Sequence, residues 1–247
     1  LRSINAEGVI IADKSLSKDE QIKIVDQCLE FNYKVFMVPP ITNWENQKEI
    51  SQKIKNIQIE DLLERKPIVL DDKSISKQLK DKTVLITGAA GSIGSEIVRQ
   101  VLTFNPKVIL MLDQAETPLH QLTLETQALE TNTIIYSVIA DVRSKKAMEA
   151  VFATYQPQVV YHAAAYKHVP LMEENPAQAI VTNVKGTKNV ADMSCKYGAD
   201  QFVMVSTDKA VNPSNVMGAS KRIAEKYVQS LQWKHKKENT GVVTRFI

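Results

Sequence analysis

The sequence predicts an α/β protein whose main part is a doubly wound parallel sheet. Three observations lead there. From Lys82 onward, six short apolar runs alternate with five amphipathic stretches of helical period. The apolar runs are continuous rather than alternating, as in strands covered by helices on both faces. A glycine-rich turn stands directly between the first run and the first helical stretch. Alternation of this kind pairs neighbouring strands in parallel through right-handed crossovers.

The elements follow in order. Residues 8–12 (GVIIA) read as a short buried strand. Ser17 with Glu20 is a capping-box pattern, and Ile22, Val25, Cys28 and Leu29 then fall at helical spacing, so the expected amphipathic helix covers 18–31. A second strand, 34–40, is stopped by Pro39 and Pro40. A short strand near 54–59, a helical turn at 60–64 and an extended exit complete the N-terminal part. Residues 1–70 are short for an independent core and read as the C-terminal part of an upstream Rossmann-like α/β domain. A charged connector is expected at 71–81. The regular part, 82–247, then alternates strand 83–88, helix 92–104, strand 108–112, helix 116–130, strand 133–139, helix 144–154, strand 159–164, helix 176–197, strand 201–206, helix 217–232 and strand 241–247.

Composition excludes several classes. With 44% hydrophobic and 24% charged residues, the chain has enough apolar material for a packed core. A net charge of +3, with lysines interleaved among acids, does not point to nucleic acid. Cys28 and Cys195 stand far apart and read as buried, reduced thiols in a cytoplasmic setting. No apolar run approaches the ~18 residues of a membrane span, and no signal peptide is visible. The four histidines lack metal-ligand spacing, so no metal site is expected. The chain opens on Leu1 and ends at Ile247 within an expected strand, which reads as a piece of a longer protein.

The glycine-rich turn carries the first site. Gly88, Gly91 and Gly94 form GxxGxxG between strand and helix. This pattern lets a pyrophosphate approach the backbone, with Ser92 and Ile93 offering N–H groups at a helix N-terminus. Asp113, with Gln114 beside it, lies at the end of the second strand, 19 residues after Gly94, where a carboxylate accepts ribose hydroxyls. It would repel a 2′-phosphate, and no Arg or Lys stands near it in LDQAETP, so NAD is expected rather than NADP. Asp141 and Val142 end the third strand near an adenine, although a plain helix N-cap region explains them almost as well. Ala163, Ala164 and Ala165 end the fourth strand with side chains small enough for close approach of a cofactor; His162 before them reads as a satisfied core histidine.

Three segments converge beyond the carboxyl ends of the strands: YKHVPLMEENP after the fourth, STDKAVNP after the fifth, and Lys221 on the following helix. Many dehydrogenases of this layout carry a tyrosine four residues before that lysine. Here the position is Met217.

Together, TGxxGSIGSE, Asp141-Val142, HAAAYKHVPLMEENP, TNVKGTKNV, STDKAVNPSNVMGASKR and VVTRF resemble the extended short-chain dehydrogenase/reductases. More narrowly, they resemble the CapD-like polysaccharide-biosynthesis family of UDP-N-acetylglucosamine 4,6-dehydratases. The resemblance covers about residues 58–247. It is closest to the long, membrane-anchored members, which carry Met where short members carry Tyr, and it implies a chain truncated at both ends. Any membrane contact would then come through transmembrane helices absent from this chain, with this region on the cytoplasmic side.

The implied reaction oxidises C4 of the sugar with NAD, removes the C5 proton and C6 hydroxyl, and returns the hydride to C6. Thr207, Asp208 and Lys209 would then sit at the reacting end of a UDP-N-acetylhexosamine, with Lys209 as base at C5 and Asp208 as acid at C6. Lys221 would hold the nicotinamide ribose, Lys167 would contact cofactor or substrate and His168 the substrate. Asn183 would steady the strand-four loop. A homo-oligomer is possible. This chain is expected to bind NAD but to turn over UDP-sugar poorly, because a full member continues into a substrate-binding domain. The rival readings are a 4-epimerase or ketoreductase, and a non-catalytic NAD-binding scaffold.

Overall fold

The computed structural model describes residues 71–238 and 243–246; before them it describes residues 8–11, 16–17, 20, 23–24, 27–28, 34–37 and 55–56. The chain divides into two compact units, Leu1–Leu70 and Asp71–Ile247.

In the first unit, β1 (Gly8–Ile11) pairs in parallel with β2 (Lys34–Met37), Ile10 opposite Phe36, and β3 (Lys55–Asn56) runs antiparallel to β2. The capping box forms: Ser17 N–H donates to the Glu20 carboxylate (2.9 Å) and Glu20 N–H donates to Ser17 Oγ (3.4 Å). Residues 20, 23, 24, 27 and 28 are helical, and Ile11, Cys28 and Val35 bury a small core. The expected turn at 60–64, the extended exit and residues 38–40 lie outside the described residues.

The second unit begins with a correction. Residues 71–81, expected as a connector, hold helix α1 (Asp72–Leu79), capped by Asp71 Oδ1 accepting Ser74 N–H (3.2 Å). Leu79 is fully buried with Val84, Val98 and Val101, and Ile75 packs partly buried against the same cluster, so an eight-residue helix that reads as charged is anchored by two apolar side chains one turn apart. The rhythm then follows expectation: β4 (Thr83–Thr87), α2 (Ser92–Leu102), β5 (Val108–Asp113), α3 (Glu116–Gln127), β6 (Ile134–Ile139), α4 (Lys145–Tyr155) and β7 (Val159–His162). After β7 come α5 (Val169–Glu174), α6 (Pro176–Ala179), a π-helical segment Ile180–Gly186 and α7 (Thr187–Lys196). The unit ends with β8 (Gln201–Met204), a 3₁₀ turn Asp208–Ala210, α8 (Val216–Glu238) and β9 (Val243–Phe246).

The six strands are all parallel, in the order β6-β5-β4-β7-β8-β9. Strand order reverses between β4 and β7, which creates a crevice at their carboxyl ends. Alternate residues feed opposite faces: Leu85, Leu110 and Val160 pack with Phe152, Phe202 and Val190, whereas Val84, Ile86 and Ile109 pack with Val98, Val101 and Leu119.

Four details depart from the sequence reading. β6 is an edge strand; Ile134, Tyr136 and Ile139 are exposed despite their apolar run, so helices do not cover both of its faces. The expected helix 176–197 carries the π segment in its middle. Residues 169–174, read as part of a loop, form α5 with Pro170 in its first turn, where a missing N–H costs nothing. Cys28 is buried, but Cys195 is only half-buried.

Candidate functional site

The crevice between β4 and β7 is built around Gly88. Its φ is +69°, and a Cβ there would lie 2.5 Å from Ala164 N, so only glycine allows the two strand exits to meet. A Cβ on Gly94 would lie 1.9 Å from Gly88 O, so α2 also approaches the turn through bare backbone. Gly91 precedes α2 with no side-chain cap, which leaves the first N–H groups of the helix, on Ser92, Ile93 and Gly94, without intrahelical partners. An uncapped helix start beside a bare glycine turn is a receptor for a phosphate group. Ile93 is 55% exposed.

One cavity is lined by Gly88, Gly91, Asp113, Gln114, Asp141, Val142, Ala163, Ala164 and Ala165, together with Leu112, Ala140, Tyr166 and Thr182. The nine expected residues come from three strand exits and the glycine turn. Asp113 also holds the turn: its two carboxylate oxygens accept N–H from Ala90 (3.0 Å) and Ala115 (3.0 Å). Val142 is buried, and its methyl lies 2.8 Å from where a Cβ on Gly186 would be, so the π segment must carry glycine to pack there.

Two residues that the sequence reading did not single out bear on this cavity, one beside it and one lining it. The first is Arg143. Its backbone N–H (2.8 Å) and Nε (2.7 Å) donate to Asp141, and its other nitrogens reach Gln178 Oε1 (3.3 Å) and Gln114 Oε1 (3.4 Å). Asp141 is therefore engaged by a guanidinium, whose hydrogen bonds hold its carboxyl below the usual range against the opposing effect of burial. The cation that LDQAETP lacks arrives from the neighbouring strand exit. The second is Thr182, 5% exposed and cavity-lining, whose hydroxyl has no hydrogen-bond partner. Thr123, Thr126 and Thr187 all donate to the carbonyl four residues back. Thr182 does not, so a residue that lines the cavity carries a buried hydroxyl with no partner. The bare glycine cradle, the open helix start and this hydroxyl all fit a dinucleotide.

Behind the cavity runs a buried polar chain. Thr187 Oγ1 donates to Asn183 O (2.6 Å), so it accepts from His162 Nε2–H (3.0 Å), and His162 Nδ1 accepts the Thr87 hydroxyl (2.7 Å). This assigns a neutral imidazole; burial, then the Lys221 charge, push its pKa down to about 3. His162 is thus a satisfied core histidine. Asn183 accepts Tyr166 N–H (2.8 Å) and donates to Tyr166 O (3.0 Å) and Ser220 Oγ (2.9 Å), tying the loop after β7 to α8. Lys167 is exposed and reaches Ser92 Oγ (3.3 Å) on the glycine turn; His168 is exposed at the start of α5.

The chain leaving β8 presents the remaining expected residues. Thr207 Oγ1 donates to Asp208 Oδ1 (2.9 Å), which also accepts Lys209 N–H (2.9 Å). These two hydrogen bonds, followed by the Lys209 charge, lower the Asp208 pKa, and both Asp208 and Lys209 are exposed. Asp208 in this state is a carboxylate, not an acid. Lys221 is buried, with Nζ donating to Val205 O (2.7 Å), and burial lowers its pKa to about 8 against the opposing charge of Glu225. Met217 is 3% exposed, packed with Met172 and Ala179 and flanked by Tyr166 and Val216.

These features define a Rossmann-type domain with a crevice at its strand-order reversal and a separate polar turn at the exit of β8. Residues 84–247 match the family model described as polysaccharide biosynthesis protein, and the chain belongs to that family. It is 43% identical over its whole length to the capsular polysaccharide biosynthesis protein CapD of Staphylococcus aureus, of which it covers 41%. It is 43% identical over 94% of its length to the probable polysaccharide biosynthesis protein EpsC of Bacillus subtilis, covering 39% of that protein. A UDP-N-acetylglucosamine 4,6-dehydratase (inverting) of Campylobacter jejuni is 34% identical over 67% of the chain and 48% of the relative, and a UDP-glucose 4-epimerase of Rickettsia canadensis matches at the same values. Among solved structures, Pen from Bacillus thuringiensis superposes with a TM-score of 0.61 at 32% identity, over 68% of this chain and 49% of that one. The Bordetella bronchiseptica enzyme WbmG in complex with NAD shares the fold, with a TM-score of 0.53 at 23% identity over 61% of this chain and 50% of that one. The chain spans half or less of the length of these curated relatives. No helix among the described residues is long and apolar enough to cross a membrane.

Proposed function

We propose that this chain forms the cofactor half of a nucleotide-sugar 4,6-dehydratase acting on UDP-N-acetylglucosamine in the making of a surface glycan, with NAD as the favoured cofactor. The observation that carries this reading is the Asp208–Lys209 pair, set at the exit of β8 beside the buried Lys221. An epimerisation at C4 needs no acid and base for C5 and C6; an elimination needs both. The 4,6-dehydratase and 4-epimerase relatives leave both reactions open, and the pair favours the first.

Ser92, Ile93 and Gly94 would face the pyrophosphate, Asp113 the adenosine ribose and Lys221 the nicotinamide ribose. A bound nicotinamide would take one hydride from C4 and give it back at C6, which makes water loss redox-neutral overall. The residues of the turn handle the protons. In water, Asp208 is held as a carboxylate by Thr207 and by the backbone and charge of Lys209, the wrong protonation for an acid in elimination. A sugar nucleotide closing over the turn removes that water. Loss of solvent disfavours both charges, so the pair moves towards neutral amine and neutral carboxylic acid. Lys209 is then a base for the C5 proton, and Asp208 can protonate the departing C6 oxygen.

The test is incubation of the protein, in its natural full length, with UDP-N-acetylglucosamine and sub-stoichiometric NAD. Water loss without net NADH supports the reading, as does its abolition in Asp208→Asn and Lys209→Met. Accumulating NADH, or conversion to the C4 epimer with no loss of water, refutes it.

A further inference from the structure

Val205 and Ser206 are the two residues on which the chain leaves β8 before reaching Thr207, Asp208 and Lys209. Lys221 donates to Val205 O (2.7 Å), and one turn further along α8 Glu225 accepts the Ser206 hydroxyl. Residues four apart share a helix face, so both grips come from one side of α8. The other oxygen of Glu225 takes Arg222 Nη1 at 3.2 Å, and the carboxylate is 17% exposed against 39% for the arginine. A semi-buried carboxylate hydrogen-bonded to a serine is more than a surface ion pair.

We propose that Glu225 is a positioning residue of this site: with Lys221 it forms a two-point clamp on the strand exit that aims Thr207, Asp208 and Lys209. One contact would let the exit pivot about Val205; the second sets its direction. Glu225 touches neither the cavity nor the reacting turn and acts through Ser206 and Lys221. Its charge has a second effect, because it favours the ammonium form of Lys221, which burial opposes. Other titratable groups surround this part of α8. His162 on β7 is held neutral, Glu173 on α5 accepts Val216 N–H (2.7 Å), and Asp208 and Lys209 stand exposed on the exit turn. Asp192 and Lys188 on α7 meet Tyr227 further along the helix. Glu225 is the group that raises the proton affinity of Lys221.

The inference rests on the proposed cofactor site for one arm of its test and is independent of it in the other. The 247-residue chain is compared with Ser206→Ala and Glu225→Gln. In the first arm, hydrogen exchange is followed at Val205, Ala210 and Val211, whose amides are bonded at 3.0, 3.1 and 3.0 Å. Ser206→Ala is expected to speed this exchange about tenfold, the scale of one lost hydrogen bond to a charged group, and Glu225→Gln to speed it less. In the second arm, NAD affinity is measured from pH 6 to 9. Wild-type affinity falls as pH rises through about 8, where Lys221 loses its proton. Glu225→Gln brings that fall to lower pH, weakening binding roughly threefold at pH 8 and not at pH 6, while Ser206→Ala leaves the midpoint in place. Exchange at the wild-type rate in Ser206→Ala, or an unmoved midpoint in Glu225→Gln, overturns the proposal. Should Glu225→Gln not fold, the Ser206→Ala exchange decides alone. Should the wild-type chain not bind NAD, the cofactor reading fails and the exchange arm still decides the clamp.

Discussion

Acidification from pH 7 to pH 5 perturbs one group in this fold more than any carboxylate. His162 is fully buried between Thr87 and Thr187, and burial together with the Lys221 charge takes its pKa from 6.5 to about 3. Between those values the unfolded chain binds a proton that the folded chain refuses, so stability rises with pH. This contribution is present in full above pH 6.5 and is lost as pH falls towards about 3. From pH 7 to pH 5 the loss is about 2 kcal/mol, from 1.36 kcal/mol per unit over the roughly 1.4 units of excess protonation of the unfolded chain. Carboxylates with lowered pKa, such as Asp141, act in the same direction but only near and below their ordinary values of about 4. Lys221, whose pKa falls to about 8, adds no slope below pH 7. The assay is native-state hydrogen exchange of the core amides of β4, β7 and β8 at both pH values, in the wild type and in His162→Gln. The variant loses stability at pH 7 through a weakened hydrogen-bond chain, but its further loss on going to pH 5 is about 2 kcal/mol smaller than that of the wild type. Equal losses in the two proteins would refute the assignment of a neutral, unprotonatable His162.

Four further outcomes are expected. Gly88→Ala forces a Cβ to 2.5 Å from Ala164 N at a φ of +69°, and costs at least about 2 kcal/mol in urea unfolding together with all measurable NAD binding. Thr182→Val removes an orphan hydroxyl, so thermal stability without ligand holds or rises by up to about 1 kcal/mol while NAD affinity falls about fivefold; unchanged affinity means that the hydroxyl does not meet the cofactor. Arg143→Ala removes the cation beside Gln114 and lowers NADP affinity more than NAD affinity in paired titrations; an equal change in both means that Arg143 does not sense a 2′-phosphate. Met217→Tyr puts a phenol into a filled apolar cluster, costs about 1–3 kcal/mol in urea unfolding and brings no gain in turnover; a tenfold gain would refute the placement of proton transfer on the turn.

What the sequence discloses, and what it withholds, divides by range. The glycine turn, Asp113 and the strand–helix rhythm are local patterns, and they lie where the pattern puts them, because close backbone approach needs glycine at fixed spacing. The cation beside Gln114 is not local. Arg143 is 29 residues away from it in sequence, and only the pairing of β5 with β6 brings the two exits together. Thr182 was hidden for another reason. It lies in a π-helical segment, which shifts the register of side chains relative to a regular helix, and no 3.6-residue period marks such a shift. α1 is hard to read because Ile75 and Leu79 are one apolar pair among charged and polar residues, too little periodicity to detect in eight residues. The exposed apolar residues of β6 follow from its place at the sheet edge, which a run of β-branched residues does not reveal.

Met217 shows how the two parts of the proposed site divide their work. Met217, Lys221 and Glu225 recur every four residues along one face of α8. The first of them is buried among Met172 and Ala179, so α8 brings no exchangeable proton to the crevice at that position. What remains on the helix is a lysine committed to Val205 and a glutamate committed to Ser206, both occupied with holding the exit of β8. The groups free to exchange protons, Asp208 and Lys209, stand in solvent on the turn that those two residues aim. A phenol on a buried helix would have its protonation set by the fold. A carboxylate and an ammonium on an exposed turn have theirs set by whatever covers them. Under the proposed reaction, moving the chemistry from α8 to the turn would make catalytic protonation conditional on substrate closure: the pair would be idle in water and become acid and base only when a sugar nucleotide excludes that water.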